Sequence, residues 1–96
     1  MSAAGKRNRN AAGTRLRRHV SVSDVEDGMV LLDERKGRYF KVNASGALIL
    51  RALLDGAPPA DAVRALVERY EVSEERAAAD VDALTAELAG NGLVVS

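Results

Sequence analysis

The sequence predicts an α+β domain in which a three-stranded antiparallel sheet is followed by three helices. Two observations support this fold class. Between Arg17 and Val42, short segments alternate apolar and polar residues and are separated by turn residues, which is typical of strands. Beyond Asn43, apolar residues recur at intervals of three and four, which is typical of helices with one buried face. The 96 residues are enough for one small domain.

The first two predicted strands are joined by a turn. In RRHVSVS, Val20 and Val22 lie on the same face of the first strand. The segment SDVEDG then supplies Asp and Gly residues that favour turns. The second strand, Met29 to Glu34, is more uniformly apolar, which indicates that it is covered on more than one side.

The third predicted strand, Arg38 to Val42, follows the hairpin loop ERKG. Alternation places Phe40 and Val42 on one face and Tyr39 and Lys41 on the other. We expect Phe40 to fill the core. For Tyr39 two interpretations stay open: it fills the core, or it presents its ring edge or hydroxyl group to solvent or to a ligand.

The first helix is predicted to begin directly after this strand, with Asn43 as its N-cap. Asp55 and Gly56 are expected to end it. Gly46 lies inside the helix, where it costs up to about 1 kcal/mol relative to Ala. A small residue at this position indicates close approach of a neighbouring strand or helix.

The second and third helices also carry start and stop signals. Pro58 and Pro59 suit the first turn of the second helix, and Ser73 is a candidate N-cap of the third. The segment GNG is expected to end the third helix, and LVV to pack back on the core. In the second helix the apolar or aromatic residues that recur at helical spacing are Val63, Leu66, Val67 and Tyr70. The predicted inward residues of the third helix are Ala77, Val81, Leu84 and Leu88.

Composition excludes several kinds of site. Without Cys there is no disulfide, thiolate metal site or cysteine nucleophile, and the single His19 cannot build a metal site alone. The carboxylate pairs Asp33-Glu34 and Glu74-Glu75 are explained as turn and helix-start residues. We therefore predict no catalytic residue, no metal, no cofactor and no enzymatic activity. No apolar run approaches the roughly 18 residues of a membrane span, so a cytoplasmic chain without a membrane partner is expected.

The charge is distributed unevenly between the N-terminus and the remainder. Residues 1–18 hold six of the 14 basic residues and no acidic residue, whereas residues 19–96 hold eight basic and all 14 acidic residues. Residues 1–18 are predicted to be a disordered basic tail, and residues 19–96 the folded domain. The tail is either an arm for nucleic acid or another acidic partner, or a solvated extension; the second interpretation is favoured because no motif accompanies the charge.

Residues 19–95 resemble the PqqD family, the peptide-recognition domains of ribosomally made peptide pathways, also called RiPP recognition elements. The resemblance is carried by the order and spacing of several short segments. They are YFKVN at the end of a strand pair, Gly46 in the next helix, LLDG closing that helix, the junction from Tyr70 to Glu75, Asp80-Val81, and LAGNGLV at the end.

Among these domains, a separate chain of this size is most similar to the leader-peptide-binding proteins of lasso peptide biosynthesis. The resemblance implies a winged-helix-like fold without catalytic activity. It also implies that the leader of a precursor peptide adds as a strand beside the third strand, with side chains entering a groove next to the third helix. The implied partners are the precursor, a separate leader protease and, in addition, the ATP-dependent cyclase that closes the ring.

The third strand and one flank of the third helix are the candidate site. The candidate peptide-binding residues are Arg38, Tyr39, Phe40, Lys41, Val42, Arg76, Asp80, Ala83, Leu84 and Glu87. The opposite flank, with Ala78, Asp82 and Thr85, stays an alternative, because Arg76 and Asp80 are also explained as an i,i+4 pair on a solvated helix. Tyr39→Ala, or Pro at position 41, is expected to weaken leader binding and leave the fold intact.

Two other functions remain as alternatives. The first is a winged-helix nucleic-acid-binding protein, which the acidic third helix disfavours, since Arg76 is its one basic residue against five acidic ones. The second is a peptide chaperone for a radical-chemistry enzyme, as in quinone cofactor biosynthesis. In this alternative the chain would bind its peptide in the same way, but the pathway would make a different product.

Overall fold

The computed structural model describes residues 14–95, and within them the chain forms five strands and three helices. The strands are β1 (Arg15–Leu16), β2 (Val20–Val25), β3 (Gly28–Asp33), β4 (Arg38–Asn43) and β5 (Val94–Val95), and the helices are α1 (Ala44–Leu54), α2 (Pro59–Tyr70) and α3 (Glu74–Gly90). Strands β2, β3 and β4 form an antiparallel sheet in that order. The predicted fold class, α+β with a three-stranded antiparallel sheet followed by three helices, is confirmed.

The folded part of the chain begins before the predicted boundary at residue 19. Arg15–Leu16 pairs antiparallel with Val94–Val95. The Arg17 N–H also donates a hydrogen bond of 3.0 Å to the Leu93 carbonyl. The prediction of a disordered tail is therefore wrong at these residues, because the C-terminal strand supplies them with hydrogen-bond partners. Residues 1–13 of the predicted tail lie outside the described residues.

One face of the three-stranded sheet packs against α1 and carries the core. Val20, Met29, Leu31 and Val42 are buried on this inner face. Val22 shares the inner face but is 36% exposed, because it lies on the outer strand β2 whereas α1 packs on β3 and β4. The expectation that the second predicted strand is covered on both sides is wrong, since its burial alternates residue by residue.

The helix boundaries follow the predicted caps. The Asn43 side chain accepts a hydrogen bond from the Gly46 N–H at 2.9 Å, and the Ser73 side chain accepts one from the Arg76 N–H at 3.0 Å. α2 starts with Pro59, and α3 ends at Gly90. These predictions are confirmed because each depends on a local hydrogen bond or a fixed backbone angle.

The core consists of two clusters. In the first, the inner face of the sheet packs with α1, Leu88, Leu93 and Val94, as predicted for the C-terminal LVV segment. In the second, the three helices pack around Ile49, Leu66 and Val81. Leu84 packs against both clusters, so α3 is fixed to the sheet as well as to the other helices. None of the helices in residues 14–95 is long and apolar enough to cross a membrane.

Gly46 lies where α1 passes closest to β4. A Cβ atom at this position would lie 2.5 Å from Val42 Cγ1 and 3.2 Å from Asn43 Oδ1. The predicted close approach is therefore confirmed, and the neighbour is the strand that leads directly into the helix.

We expect Gly46→Ala to lower the free energy of unfolding in spite of the better helix propensity of Ala. Ala would add up to about 1 kcal/mol by propensity, whereas the overlap with the buried Val42 costs about 1–3 kcal/mol. Urea denaturation measures the difference. Gly90→Ala is the matched control, since a Cβ at Gly90 meets no atom within 4 Å. Equal gains in stability from both changes would contradict this interpretation.

Asp33 fixes the hairpin loop between β3 and β4. Its Oδ1 accepts hydrogen bonds of 3.0 Å from the Lys36 and Arg35 N–H groups, and its side chain is buried. The hydrogen bond from Lys36 is the main cause that holds the pKa of Asp33 below its ordinary value, although burial acts in the opposite direction. The ionised carboxylate of Asp33 therefore accepts the hydrogen bonds that hold this loop better than the protonated form would.

The lowered pKa of Asp33 predicts that the fold loses stability in acid, because protonation removes the stabilisation that the ionised carboxylate provides. The native state holds the proton less tightly than the unfolded chain, so the stabilisation is complete above the unfolded pKa of about 4 and is lost as the pH falls through the lower, folded pKa. Asn at this position accepts similar bonds without titrating. We expect wild type to lose more stability than Asp33→Asn between about pH 5 and about pH 3, measured by urea denaturation. Parallel losses would contradict the assignment.

Candidate peptide-binding groove

The three-stranded sheet has two outer strands, and each leaves one edge without a neighbouring strand in the described chain. β2 and β4 each pair only with β3 within this sheet. Such an edge presents backbone N–H and C=O groups to which an extended peptide can bind. The side chains around each edge therefore decide which one is suited to a peptide.

The hydrogen-bond pattern identifies which backbone groups of β4 point outward. The Glu34 N–H donates a hydrogen bond of 2.9 Å to the His19 carbonyl, so at this pair the backbone groups face each other between the first two strands of the sheet. In an antiparallel ladder the bonded residues alternate. With the observed register, the odd-numbered residues of β3 bond to β4, and Tyr39, Lys41 and Asn43 turn their backbone groups to the open edge.

A groove of about 470 Å³ lies between the open edge of β4 and helix α3. Its walls come from β4, the first turns of α1 and one flank of α3. The lining residues are Phe40, Lys41, Val42, Asn43, Ser45, Gly46, Ile49, Arg76, Asp80, Ala83, Leu84, Glu87 and Leu88.

The floor of this groove is apolar and its rim is charged. Ile49 and Leu88 are buried at the floor, and the small side chain of Ala83 leaves space above them. On the rim, Arg76 Nε lies 3.7 Å from Asp80 Oδ1, and both side chains are at least half exposed. Such exposed pairs contribute little to stability. The groove can therefore enclose an apolar side chain while polar groups contact the peptide at its margin.

Most of the predicted site residues meet in this groove. Eight of the ten line it, namely Phe40, Lys41, Val42, Arg76, Asp80, Ala83, Leu84 and Glu87. The opposite flank of α3 does not line it. The groove does not include the side chain of Tyr39, which is 72% exposed on the other face of the sheet. Arg38 is also outside the lining, and its guanidinium lies 5.2 Å from the centre of the Phe40 ring.

Sequence reasoning missed the contribution of α1 to the groove. Asn43, Ser45, Gly46 and Ile49 line it because β4 runs into α1 without a loop, so the first turns of the helix stay beside the strand. The sequence feature that could have indicated this contribution is Gly46, whose small size lets α1 lie close to β4. A second pocket of about 390 Å³ continues the groove past the end of the strand; its apolar lining residues include Leu66, Tyr70 and Val72.

The groove has no arrangement suited to metal chemistry. Among residues 14–95, no three His, Cys, Asp or Glu side chains lie together in a way that could hold a metal ion. The groove contains backbone donors and acceptors, apolar surface and paired charges. These are the components of peptide recognition.

Comparison with solved structures gives two close similarities. A structure described as lasso peptide synthetase B1 complexed with the leader peptide has 43% sequence identity and a TM-score of 0.82, with 88% of this chain and 99% of that chain covered. A structure described as TbiB1 in complex with the TbiA(beta) leader peptide has 28% identity and a TM-score of 0.74, with 82% and 93% covered. No curated protein sequence matches the chain.

The sequence itself matches one protein family over most of the domain. The match extends over residues 28–94, from the first residue of β3 to the first residue of β5. This range contains β4, all three helices and every residue that lines the groove. The chain belongs to the family described as Coenzyme PQQ synthesis protein D (PqqD).

Proposed function

We propose that this chain binds the leader segment of a ribosomally made precursor peptide as an additional strand beside β4. The observation that carries the proposal is the coincidence of an open strand edge with a groove that has an apolar floor. The two similar solved structures, both described as complexes with a leader peptide, support the same function.

Strand addition and the groove make different contributions to binding. The outward backbone groups of Tyr39 and Lys41 would form hydrogen bonds of low sequence specificity with an extended peptide. Alternate side chains of that peptide would then enter the groove. Filling it with one apolar side chain adds about 1.5–3 kcal/mol before the costs of ordering the peptide are subtracted. The few leader residues that reach the floor would therefore determine selectivity.

The opposite edge of the sheet lacks these features. Strand β2 also has an open edge, but Val22 on it is exposed and the groove does not reach it. Asp24, further along the same strand, is tied to α1 by an ion pair of 2.6 Å with Arg51. An added strand there would gain backbone hydrogen bonds alone, so β4 is the favoured edge.

The proposed role is recognition without catalysis. In this role the chain presents the bound precursor to a separate leader protease and to the ATP-dependent cyclase of a lasso peptide pathway. The 43% identity to a lasso peptide synthetase B1 favours these partners. The family description favours a second candidate, in which the same groove presents a peptide to an enzyme of cofactor synthesis. Both candidates use the same binding mode.

Amide hydrogen exchange tests the strand addition directly. The probe is the leader segment of the precursor peptide encoded in the same gene cluster, here called the cognate leader. On binding, we expect the amides of Tyr39 and Lys41 to exchange at least about tenfold more slowly, because they gain partners. The amides of Val22 and Asp24 point to the other edge and are the internal control. Protection of the second pair without the first would refute the proposal.

A further inference from the structure

The last turn of α3 carries a carboxylate that the stability of the helix does not explain. Glu87 lies three residues before Gly90, where α3 ends, and the last turn has no basic residue. The carbonyl groups at a helix C-terminus form the negative end of its dipole, so a carboxylate is unfavourable there. Glu74 and Glu75, by contrast, lie in the first turn, where the dipole favours them. The position of Glu87 therefore favours a cation beside it.

The other charged residues that line the groove already have partners. Arg76 Nε lies 3.7 Å from Asp80 Oδ1. Lys41 Nζ lies 3.8 Å from Asp27 Oδ1. Among residues 14–95, none of the ion pairs includes Glu87, and its one side-chain contact is through its backbone carbonyl, which accepts a hydrogen bond from an asparagine side chain. The Glu87 carboxylate is thus available to a ligand in the groove.

The second pocket shows at which end of the groove Glu87 lies. Arg76 and Asp80 line both the groove and the second pocket, together with Asn43 at the end of β4. Glu87 lines the groove and not the second pocket. It therefore lies at the opposite end, towards the start of β4, where Phe40 is part of the lining.

The spacing along α3 matches the spacing along an extended peptide. Ala83, which leaves space for a leader side chain, lies one helical turn before Glu87, and four helical residues span about 6 Å. Side chains two residues apart on a strand point to the same face and are about 6–7 Å apart. When one leader side chain fills the space at Ala83, a side chain two residues away would therefore reach Glu87.

We infer that Glu87 is a specificity-determining residue that selects a lysine or arginine of the leader, two residues from the apolar side chain that enters the groove at Ala83. The inference rests on the proposed function. The leader cation would be attracted by the carboxylate and by the negative end of α3 together, whereas a leader carboxylate would be repelled by both. Because Glu87 is exposed, solvent and salt would keep the attraction moderate.

Charge reversal on both partners tests this inference. The probes are labelled cognate leaders in which each residue in turn is replaced by Lys or by Glu, and fluorescence anisotropy measures their affinities. We expect wild type to prefer Lys to Glu at one position by about tenfold, of which attraction and repulsion each supply about threefold. That position is expected two residues from the one where both replacements weaken binding most. Glu87→Gln is expected to abolish the preference, and Glu87→Lys to invert it.

Asp82→Lys is the matched control for the charge reversal. Asp82 is exposed on the opposite flank of α3 and does not line the groove, and its replacement changes the net charge by the same amount. We expect this variant to keep the preference of wild type. Equal inversion by Asp82→Lys and Glu87→Lys would show that the overall charge of the domain selects the peptide, and would overturn the inference.

The remaining outcomes separate this inference from the proposed function. If wild type does not bind the cognate leader, the proposed function fails and the inference falls with it. If wild type binds the leader but prefers Lys at no position, or if Glu87→Gln keeps the preference, the inference alone is overturned.

Urea denaturation tests for a structural role of Glu87. Removing its charge relieves the unfavourable interaction with the helix dipole, so we expect Glu87→Gln to be at least as stable as wild type. A less stable Glu87→Gln would show that the carboxylate serves the fold, for example by pairing with Arg38, and would overturn the inference.

Discussion

Lys41→Pro is expected to weaken binding of the cognate leader by at least about tenfold while the sheet stays folded. The Lys41 N–H points to the open edge, so proline removes no hydrogen bond of the sheet itself. It does remove a donor for the added strand, which contributes about 0.5–1.5 kcal/mol. The proline ring also occupies space beside the edge that the incoming backbone needs. Isothermal titration calorimetry measures the change in affinity.

Val22→Pro is the matched control for this change. Its N–H points to the open edge of β2, so the same substitution perturbs an equivalent backbone position on the opposite side of the sheet. We expect its affinity for the leader to equal that of wild type, and far-ultraviolet circular dichroism to give the same spectrum for both variants. If the two prolines weaken binding equally, the leader does not pair with β4.

The parts of the fold that were predicted from sequence depend on local interactions. Asn43 and Ser73 mark helix starts because the capping oxygen and the N–H it accepts from lie three residues apart. Alternation likewise placed Tyr39 and Phe40 on opposite faces of the strand. Which of these faces borders the groove was not predictable by alternation, since it depends on where α3 packs against the sheet.

The parts that were missed depend on contacts between distant segments. Strand β1 forms only because Val94–Val95 returns to pair with Arg15–Leu16, and two residues carry no strand pattern of their own. Ile49 is a buried core residue of α1, yet it also forms part of the floor of the groove. Its second role follows from the direct passage of β4 into α1, a geometric consequence that periodicity does not reveal.

Ala83→Trp is expected to lower leader affinity by about a hundredfold or more, the largest effect that we predict. Ala83 is exposed and lines the groove between Asp80 and Glu87 on α3, where its small side chain leaves space above the apolar floor. An indole ring there would occupy the space that a leader side chain needs. The lost burial of that side chain corresponds to about 1.5–3 kcal/mol, and the added strand would also be pushed away from β4.

Ala86→Trp distinguishes blocking of the groove from a general effect of tryptophan on α3. Ala86 is exposed on the same helix and does not line the groove, so the same increase in volume falls outside it. We expect this variant to keep wild-type leader affinity in calorimetry and both variants to unfold at similar urea concentrations. Loss of binding in both variants would show that a tryptophan on α3 weakens binding by disturbing the helix and not by blocking the groove. Loss in neither variant would mean that the peptide lies outside the space between α3 and β4.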